Sequence, residues 1–66
     1  MKITCNGEYH DIPEGLALVD YLKKLELDPS AVVVEYNGQI IDRTDYDKQV
    51  ISEGAKLELI RFVPGG

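Results

Sequence analysis

Two short extended runs open the chain, separated by an Asn-Gly pair. The runs are Lys2 to Cys5 and Glu8 to Ile12, and Asn6-Gly7 lies between them. A type I′ turn needs positive φ at both central residues, and Asn-Gly adopts that conformation readily. The pattern therefore predicts that the chain begins with a β-hairpin.

A helical period follows over about residues 17–25. Leu18, Tyr21, Leu22 and Leu25 fall at i, i+3, i+4 and i+7, which places them on one stripe. The charged residues of the same stretch fall away from that stripe. We therefore expect one amphipathic helix here, with the stripe facing the core.

The second half of the chain alternates as strands do. Residues 31–36 carry three consecutive valines and predict a central strand, which Asn37-Gly38 turns into a short strand over residues 39–42. Residues 43–49 are polar and irregular, with room for a short helical turn. Residues 56–63 alternate again and predict the final strand.

This order of elements predicts an α+β fold. One amphipathic helix laid across one small sheet is the simplest way to bury both apolar faces, and a strand after the helix can lie parallel to the first strand. The order is that of the ubiquitin-like β-grasp, with one mixed sheet of four to five strands. A chain of 66 residues has room for a single core, so we expect one domain over residues 1–66, with residues 63–66 as a projecting flexible tail.

Charge and cysteine usage narrow the range of partners. A formal net charge of −5 disfavours nucleic acid and anionic membranes, and favours a basic groove on a protein partner. One cysteine forms no internal disulfide, and the sequence has neither an apolar signal segment nor a run of membrane-spanning length. The expected location is the cytoplasm.

Catalytic chemistry has few candidates in this sequence. Cys5 and His10 are the single thiol and the single imidazole, and a nucleophilic pair would also need a third, orienting group. Asp42, Asp45 and Asp47 cluster without the glycine and terminal glutamate of a calcium loop. We therefore expect no catalytic residue, no metal site and no bound cofactor, and a buried Cys5 with His10 near the surface.

The alternation in the final strand separates two faces. Leu57 and Leu59 share one face, which sends Ile60 and Phe62 to the other. On a sheet covered by one helix, that second face is exposed, so Ile60 and Phe62 are candidates for a partner-docking surface. The alternatives are a loop that covers them, or a β-bulge that turns Phe62 inward.

The last seven residues, Ile60 to Gly66, form the strongest functional signal. Pro64 fixes its own φ and favours an extended Val63, so this arm is expected to project from the domain. Gly65 and Gly66 have no side chains, so their backbone is thin enough to thread a narrow channel. A Gly-Gly ending is a weak signal on its own, but joined to the β-grasp order it becomes a strong indication of a tail that presents its terminal carboxylate to a partner.

Together these features resemble the thiamine-biosynthesis sulfur carrier family ThiS, within the ThiS/MoaD ubiquitin-like group. Beyond the early hairpin and the leucine-rich helix, the resemblance rests on Val33 to Gly38 leading into Ile40-Ile41, Arg43 to Tyr46, Ser52 to Leu59, and the Gly65-Gly66 ending. Two positions depart from the family pattern. Ala55 stands where an acidic residue is common, and Pro64 where a small flexible residue is usual.

The resemblance implies a protein co-substrate rather than an enzyme. A ubiquitin-activating-like adenylyltransferase of the ThiF type would use ATP to adenylate Gly66, and sulfur from a cysteine desulfurase system would convert it to a thiocarboxylate. Thiazole synthase of the ThiG type would then take that sulfur into the thiazole ring of thiamine. Val63, Pro64 and Gly65 would carry Gly66 into the partners' active sites.

Three other interpretations remain open on the sequence. The small subunit of molybdopterin synthase shares the fold, the tail and the thiocarboxylate, although that family tends to run longer. A ubiquitin-like modifier would join Gly66 to a lysine of a target. A β-grasp binding module would carry its Gly-Gly ending without using it.

Overall fold

The structure is a computed structural model, and it describes residues 1–63. The strands are β1 (Lys2–Cys5), β2 (Glu8–Asp11), β3 (Val32–Tyr36), β4 (Gln39–Ile40) and β5 (Lys56–Arg61), with one helix, α1 (Leu18–Lys24), and two 3₁₀ turns, Pro29–Ala31 and Arg43–Asp45. The predictions made for Pro64, Gly65 and Gly66 lie outside the described residues.

Both Asn-Gly pairs form the turns expected of them. Asn6 and Gly7 have φ of 51° and 82°, and Asn37 and Gly38 have φ of 50° and 84°. Positive φ at both central residues gives the type I′ twist that suits a two-residue hairpin. The first turn joins β1 to β2 and the second joins β3 to β4, both antiparallel.

The five strands form one mixed sheet in the order β2-β1-β5-β3-β4. The last strand of the sequence therefore lies in the middle, parallel to β1 and antiparallel to β3. The crossover through α1 allows the parallel pair, since parallel neighbours need a long connection. The predicted α+β, β-grasp architecture is confirmed.

Helix α1 covers one face of this sheet. Leu18, Tyr21 and Leu22 are buried as the stripe predicts, whereas Leu25 is the C-cap residue and is 37% exposed. Glu26 follows with φ of 61°, which turns the chain out of the helix after Leu25. The sheet contributes Ile3, Cys5, Val32, Val34 and Leu57 to the same core.

Two strands are shorter than the alternation predicts. β4 ends at Ile40 because the chain turns into the 3₁₀ segment that begins at Arg43. β5 ends at Arg61, opposite Val32, which is the first residue of β3. Connecting segments also supply four core residues that periodicity does not identify, namely Ile12, Tyr46, Ile51 and Ala55.

Candidate functional site

The strand that leads to the tail is held from both sides over its first half. On the β1 side, the Thr4 amide donates to the carbonyl of Ala55 at 3.0 Å and the Asn6 amide donates to that of Leu57 at 2.9 Å. On the other side, β3 pairs with β5 from Tyr36 opposite Leu57 onward. The base of the tail is thus anchored at the centre of the sheet.

The two turn asparagines add side-chain bonds to the same strand. Asn6 Oδ1 accepts from the Leu59 amide at 2.8 Å, while Asn6 Nδ2 donates to the Leu59 carbonyl at 3.4 Å. Asn37 Oδ1 accepts from the Lys56 amide at 2.8 Å. The sequence pattern predicts both asparagines as turn residues and does not predict these bonds. Their one sequence signal is that asparagine, unlike glycine, has a side-chain amide that can form hydrogen bonds.

The two faces of β5 differ as the alternation predicts. Leu57 is completely buried against the helix, whereas Ile60 on the opposite face is 53% exposed. Beyond the strand, Phe62 is 38% and Val63 88% exposed. The register between β3 and β5 runs without a bulge from Leu57 to Arg61, and the Phe62 amide continues it by donating to the Ala31 carbonyl, so no bulge turns Phe62 inward. The role of Ile60 and Phe62 in docking stays a prediction.

An apolar area surrounds these residues on the outer face of the sheet. Val33 lies directly opposite Ile60, and Ile40, at the edge, is 70% exposed. We call Val33, Ile40, Ile60 and Phe62 the outer patch. Directly opposite neighbours such as Val33 and Ile60 lie about 5 Å apart. Ile40 and Phe62 are diagonal neighbours of Val33, about 7–8 Å away, which is within reach of long side chains.

Two carboxylates border the outer patch. Glu35 lies directly opposite Glu58 on the neighbouring strand, and Glu35 is also paired with Ile40. Like charges in facing positions repel each other, and a cation brought by a partner would relieve that repulsion. The outer face therefore offers apolar contact beside negative charge.

Cys5 and His10 border a common cavity but form no reactive pair. Cys5 is buried as expected and His10 is half-buried, and among residues 1–63 no hydrogen bond joins them. The Tyr21 hydroxyl, also buried, has no hydrogen-bond partner in this part of the chain. Burial raises the pKa of Tyr21 well above its usual range, and the nearby Cys5 adds to that rise. Cys5 and Tyr21 belong to the hydrophobic core.

The acidic segment after β4 carries one buried tyrosine among exposed carboxylates. Asp42, Asp45 and Asp47 are exposed, and residues 1–63 contain no group of three or more side chains suited to a metal ion. Tyr46 is buried within this segment and its hydroxyl donates to the Val32 carbonyl at 2.7 Å. Burial raises the pKa of Tyr46, so the phenol stays a donor. The Arg-x-x-aromatic segment thus closes one end of the core.

In the part of the chain that the structure describes, α1 is far too short and too polar to cross a membrane, and no other helix there meets that requirement.

Comparison with known proteins identifies relatives along the whole chain. The sequence profile of the ThiS family matches residues 2–66. The thiazole synthases of Magnetococcus marinus and Paramagnetospirillum magneticum are 36% and 32% identical over 66 residues, which make up 100% of this chain and 20% of each of those proteins. The chain therefore spans about a fifth of the length of these curated relatives.

A solved structure shows the same fold at full coverage. The crystal structure of the thiamine biosynthesis protein ThiS from Geobacter metallireducens matches with a TM-score of 0.84 at 29% identity, over 100% of both chains. The five-stranded sheet, the single covering helix and the family profile over residues 2–66 agree with one another. This chain belongs to the ThiS family.

Proposed function

We propose that this protein is a sulfur carrier in the synthesis of the thiazole part of thiamine, and that its working atom is the carboxylate of Gly66. The observation that carries the proposal is the match of the ThiS profile through residue 66, which includes the Gly-Gly ending. The anchored strand β5 and the exposed Val63 next to that ending support it, because a carrier needs a firm base and an accessible arm.

The chemistry follows from the stability of a carboxylate. Its charge repels nucleophiles and oxide is a poor leaving group, so Gly66 must first be activated. A carboxylate oxygen attacks the α-phosphorus of ATP in an activating enzyme, pyrophosphate leaves, and an acyl adenylate forms. A persulfide sulfur, supplied through a cysteine desulfurase, then attacks the acyl carbon and AMP leaves. Cleavage of the S–S bond by a partner thiol yields the thiocarboxylate.

In this scheme the partners contribute the catalytic groups. ATP binds to the activating enzyme, and the carrier supplies the acyl group and a surface to be recognised. The outer patch is the proposed surface, with Ile60 and Phe62 nearest to the tail. The facing pair Glu35 and Glu58, together with a net charge of −5, suits a partner with basic groups beside an apolar contact.

Thiazole synthase is the proposed acceptor of the sulfur. In the two thiazole synthases that match, a segment similar to this whole chain makes up 20% of a longer polypeptide. Joining two proteins raises their effective concentration, which benefits partners that must meet repeatedly. This similarity favours the thiamine pathway over that of the molybdenum cofactor. The proposed setting for all of these partners is the cytoplasm.

The intact mass of the protein purified from its native host tests the proposal. Purification must avoid hydrolytic treatment, because hydrolysis converts a thiocarboxylate back to the carboxylate. It must also avoid reducing treatment, because a reductant cleaves the acyl disulfide that precedes the thiocarboxylate. We expect a subpopulation heavier by the difference between one sulfur and one oxygen, localised to a C-terminal peptide ending at Gly66. An unchanged mass, even after incubation with ATP, a sulfur donor and the activating enzyme, would reject the carrier function. An isopeptide-linked ladder would instead favour a ubiquitin-like modifier.

A further inference from the structure

The backbone groups of β5 point alternately to its two neighbours. The Phe62 amide donates to the Ala31 carbonyl at 2.9 Å, so even-numbered residues face β3. The Leu57 carbonyl accepts from the Asn6 amide on the other side, so odd-numbered residues face β1. Leu59 and Arg61 therefore direct their N–H and C=O groups toward the β1 side of the sheet.

Strand β1 is too short to pair with all of these groups. It ends at Cys5, and the side-chain amide of Asn6 then bonds both the N–H and the C=O of Leu59. The side-chain amide of Asn6 thus takes the place of one further backbone residue of β1. Arg61 is the next position on this side, and among residues 1–63 no group pairs with its amide or carbonyl. The result is a short open edge in an otherwise central strand.

A shallow cavity of about 270 Å³ lies beside this open edge. Leu25 and Leu27, from the end of α1, form part of its wall, and Leu59 contributes from β5. His10 and Arg61 lie at its border. A backbone that paired with Arg61 would therefore place a side chain against an apolar wall.

Val63 has the same parity along the chain as Arg61. In an extended chain with the alternation of β5, it directs its N–H to the same side as Arg61, the side of the cavity. Neither residue is a proline, so both keep that donor.

We propose that an extended segment of thiazole synthase adds as a strand to Arg61 and Val63 on the β1 side of β5, with an apolar side chain against Leu25, Leu27 and Leu59. Strand addition uses main-chain bonds for affinity and side-chain pockets for specificity. The inference rests on the proposed function, since the protein that receives the tail must lie next to this edge. A second copy is a poorer occupant, because each chain carries a net charge of −5.

Two substitutions of Arg61 distinguish the contribution of its backbone amide to binding from that of its side chain. Arg61→Pro removes the N–H that faces the open edge, and it leaves the ladder to β3 intact because Arg61 gives no bond to that strand. Arg61→Ala is the matched control that removes the side chain and keeps the N–H. We expect Arg61→Pro to bind the host's thiazole synthase about tenfold more weakly than Arg61→Ala, with equal thermal melts. Equal affinities would overturn strand addition.

Hydrogen exchange gives a second measurement that does not depend on the variant. In the wild-type complex the amides of Arg61 and Val63 should exchange more slowly than in the free protein. Unchanged exchange at both positions would overturn the proposal, and so would their protection by self-association of the carrier alone.

An outer-patch variant, Ile60→Asp, distinguishes a failure of strand addition from a failure of the proposed carrier function. If it loses binding while Arg61→Pro retains it, the proposed function stands and strand addition fails. If the wild-type protein neither binds thiazole synthase nor accepts sulfur, both proposals fail together.

Discussion

Residues 56–63 fall into two halves, the first within β5 and the second running from the end of β5 into the residues after it, and these halves differ more than their sequences suggest. Residues 56–59 lie between two strands, with Asn37 and Asn6 bonding Lys56 and Leu59, and Leu57 completely buried. In residues 60–63, the exposed half, the ladder runs to β3 alone and the side chains are exposed. The difference arises from the neighbours, because β1 stops at Cys5 while β5 continues.

This contrast shows how a very small domain can present an arm. A chain of this size has little stability to spare. Placing the last strand at the centre of the sheet lets one element stabilise the core and expose its end. The transition takes place within two residues, between Leu59 and Arg61.

The largest expected effect comes from Gly66, the proposed reacting residue. Deleting Gly66 should abolish sulfur loading, because the chain then ends one residue short of the partner's reacting atoms. The thermal melt should not change, since the described core lies within residues 1–63. Mass spectrometry after incubation with ATP, the activating enzyme and a sulfur donor measures the loading. A truncated protein that still accepts sulfur would contradict the role of Gly66.

Substitutions in the two halves should differ sharply in stability. Leu57→Ala removes a fully buried side chain and should lower the free energy of unfolding by about 2–5 kcal/mol. Ile60→Ala, three residues on and 53% exposed, should cost less than about 1 kcal/mol. Urea denaturation of both variants measures the difference. Similar losses would show that the exposed half also supports the core.

Much of this contrast can be predicted from the sequence. The Asn-Gly turns, the stripe of α1 and the separation of Leu57 from Ile60 all follow from local rules that the chain obeys. The predicted strand boundaries were wrong, since β4 and β5 each end two residues early. β4 ends because its chain turns into a 3₁₀ segment, and β5 ends opposite the first residue of β3.

Long-range contacts could not be predicted in the same way. Asn6 bonds Leu59 across 53 residues of sequence, and the buried Tyr46 bonds Val32 from a polar segment that lacks any period. Such contacts depend on the assembled fold rather than on local pattern. The open edge at Arg61 belongs to this class, since it appears only when β1 is placed beside β5.

The boundary between the halves should move when Asn6 is changed. Asn6→Gly keeps the positive φ of the turn and removes both side-chain bonds to Leu59, so we expect a loss of about 1 kcal/mol. Native-state hydrogen exchange at the Leu59 amide should become faster. Asn37→Gly is the control, since its side chain bonds Lys56 and should leave the Leu59 amide unaffected. Unchanged exchange at Leu59 in Asn6→Gly would contradict the assigned role of Asn6.

The smallest expected effect concerns the backbone hydrogen bond between Phe62 and Ala31, which holds the exposed half on its β3 side. The Phe62 amide bonds to Ala31, the last residue of the Pro29–Ala31 turn, and Asp28 caps that turn by accepting from the amide and hydroxyl of Ser30 at 2.9 and 2.8 Å. These bonds favour the carboxylate, so they lower the pKa of Asp28 below its usual range.

A carboxyl whose pKa is lower in the folded state stabilises the fold above its unfolded-state pKa, and that contribution is lost as pH falls through the folded-state value. Acidification should therefore release the Ser30 amide and lower the protection of the Phe62 amide, which NMR hydrogen exchange measures once the rates are divided by the intrinsic rate at each pH. In Asp28→Ala the cap is absent at every pH, so the protection of the Phe62 amide should show no pH-dependent transition. Asp42→Ala is the matched control, because Asp42 precedes the other 3₁₀ turn without a side-chain cap. An equal effect of the two variants on Phe62 would show that the Asp28 cap does not support the exposed half of the strand.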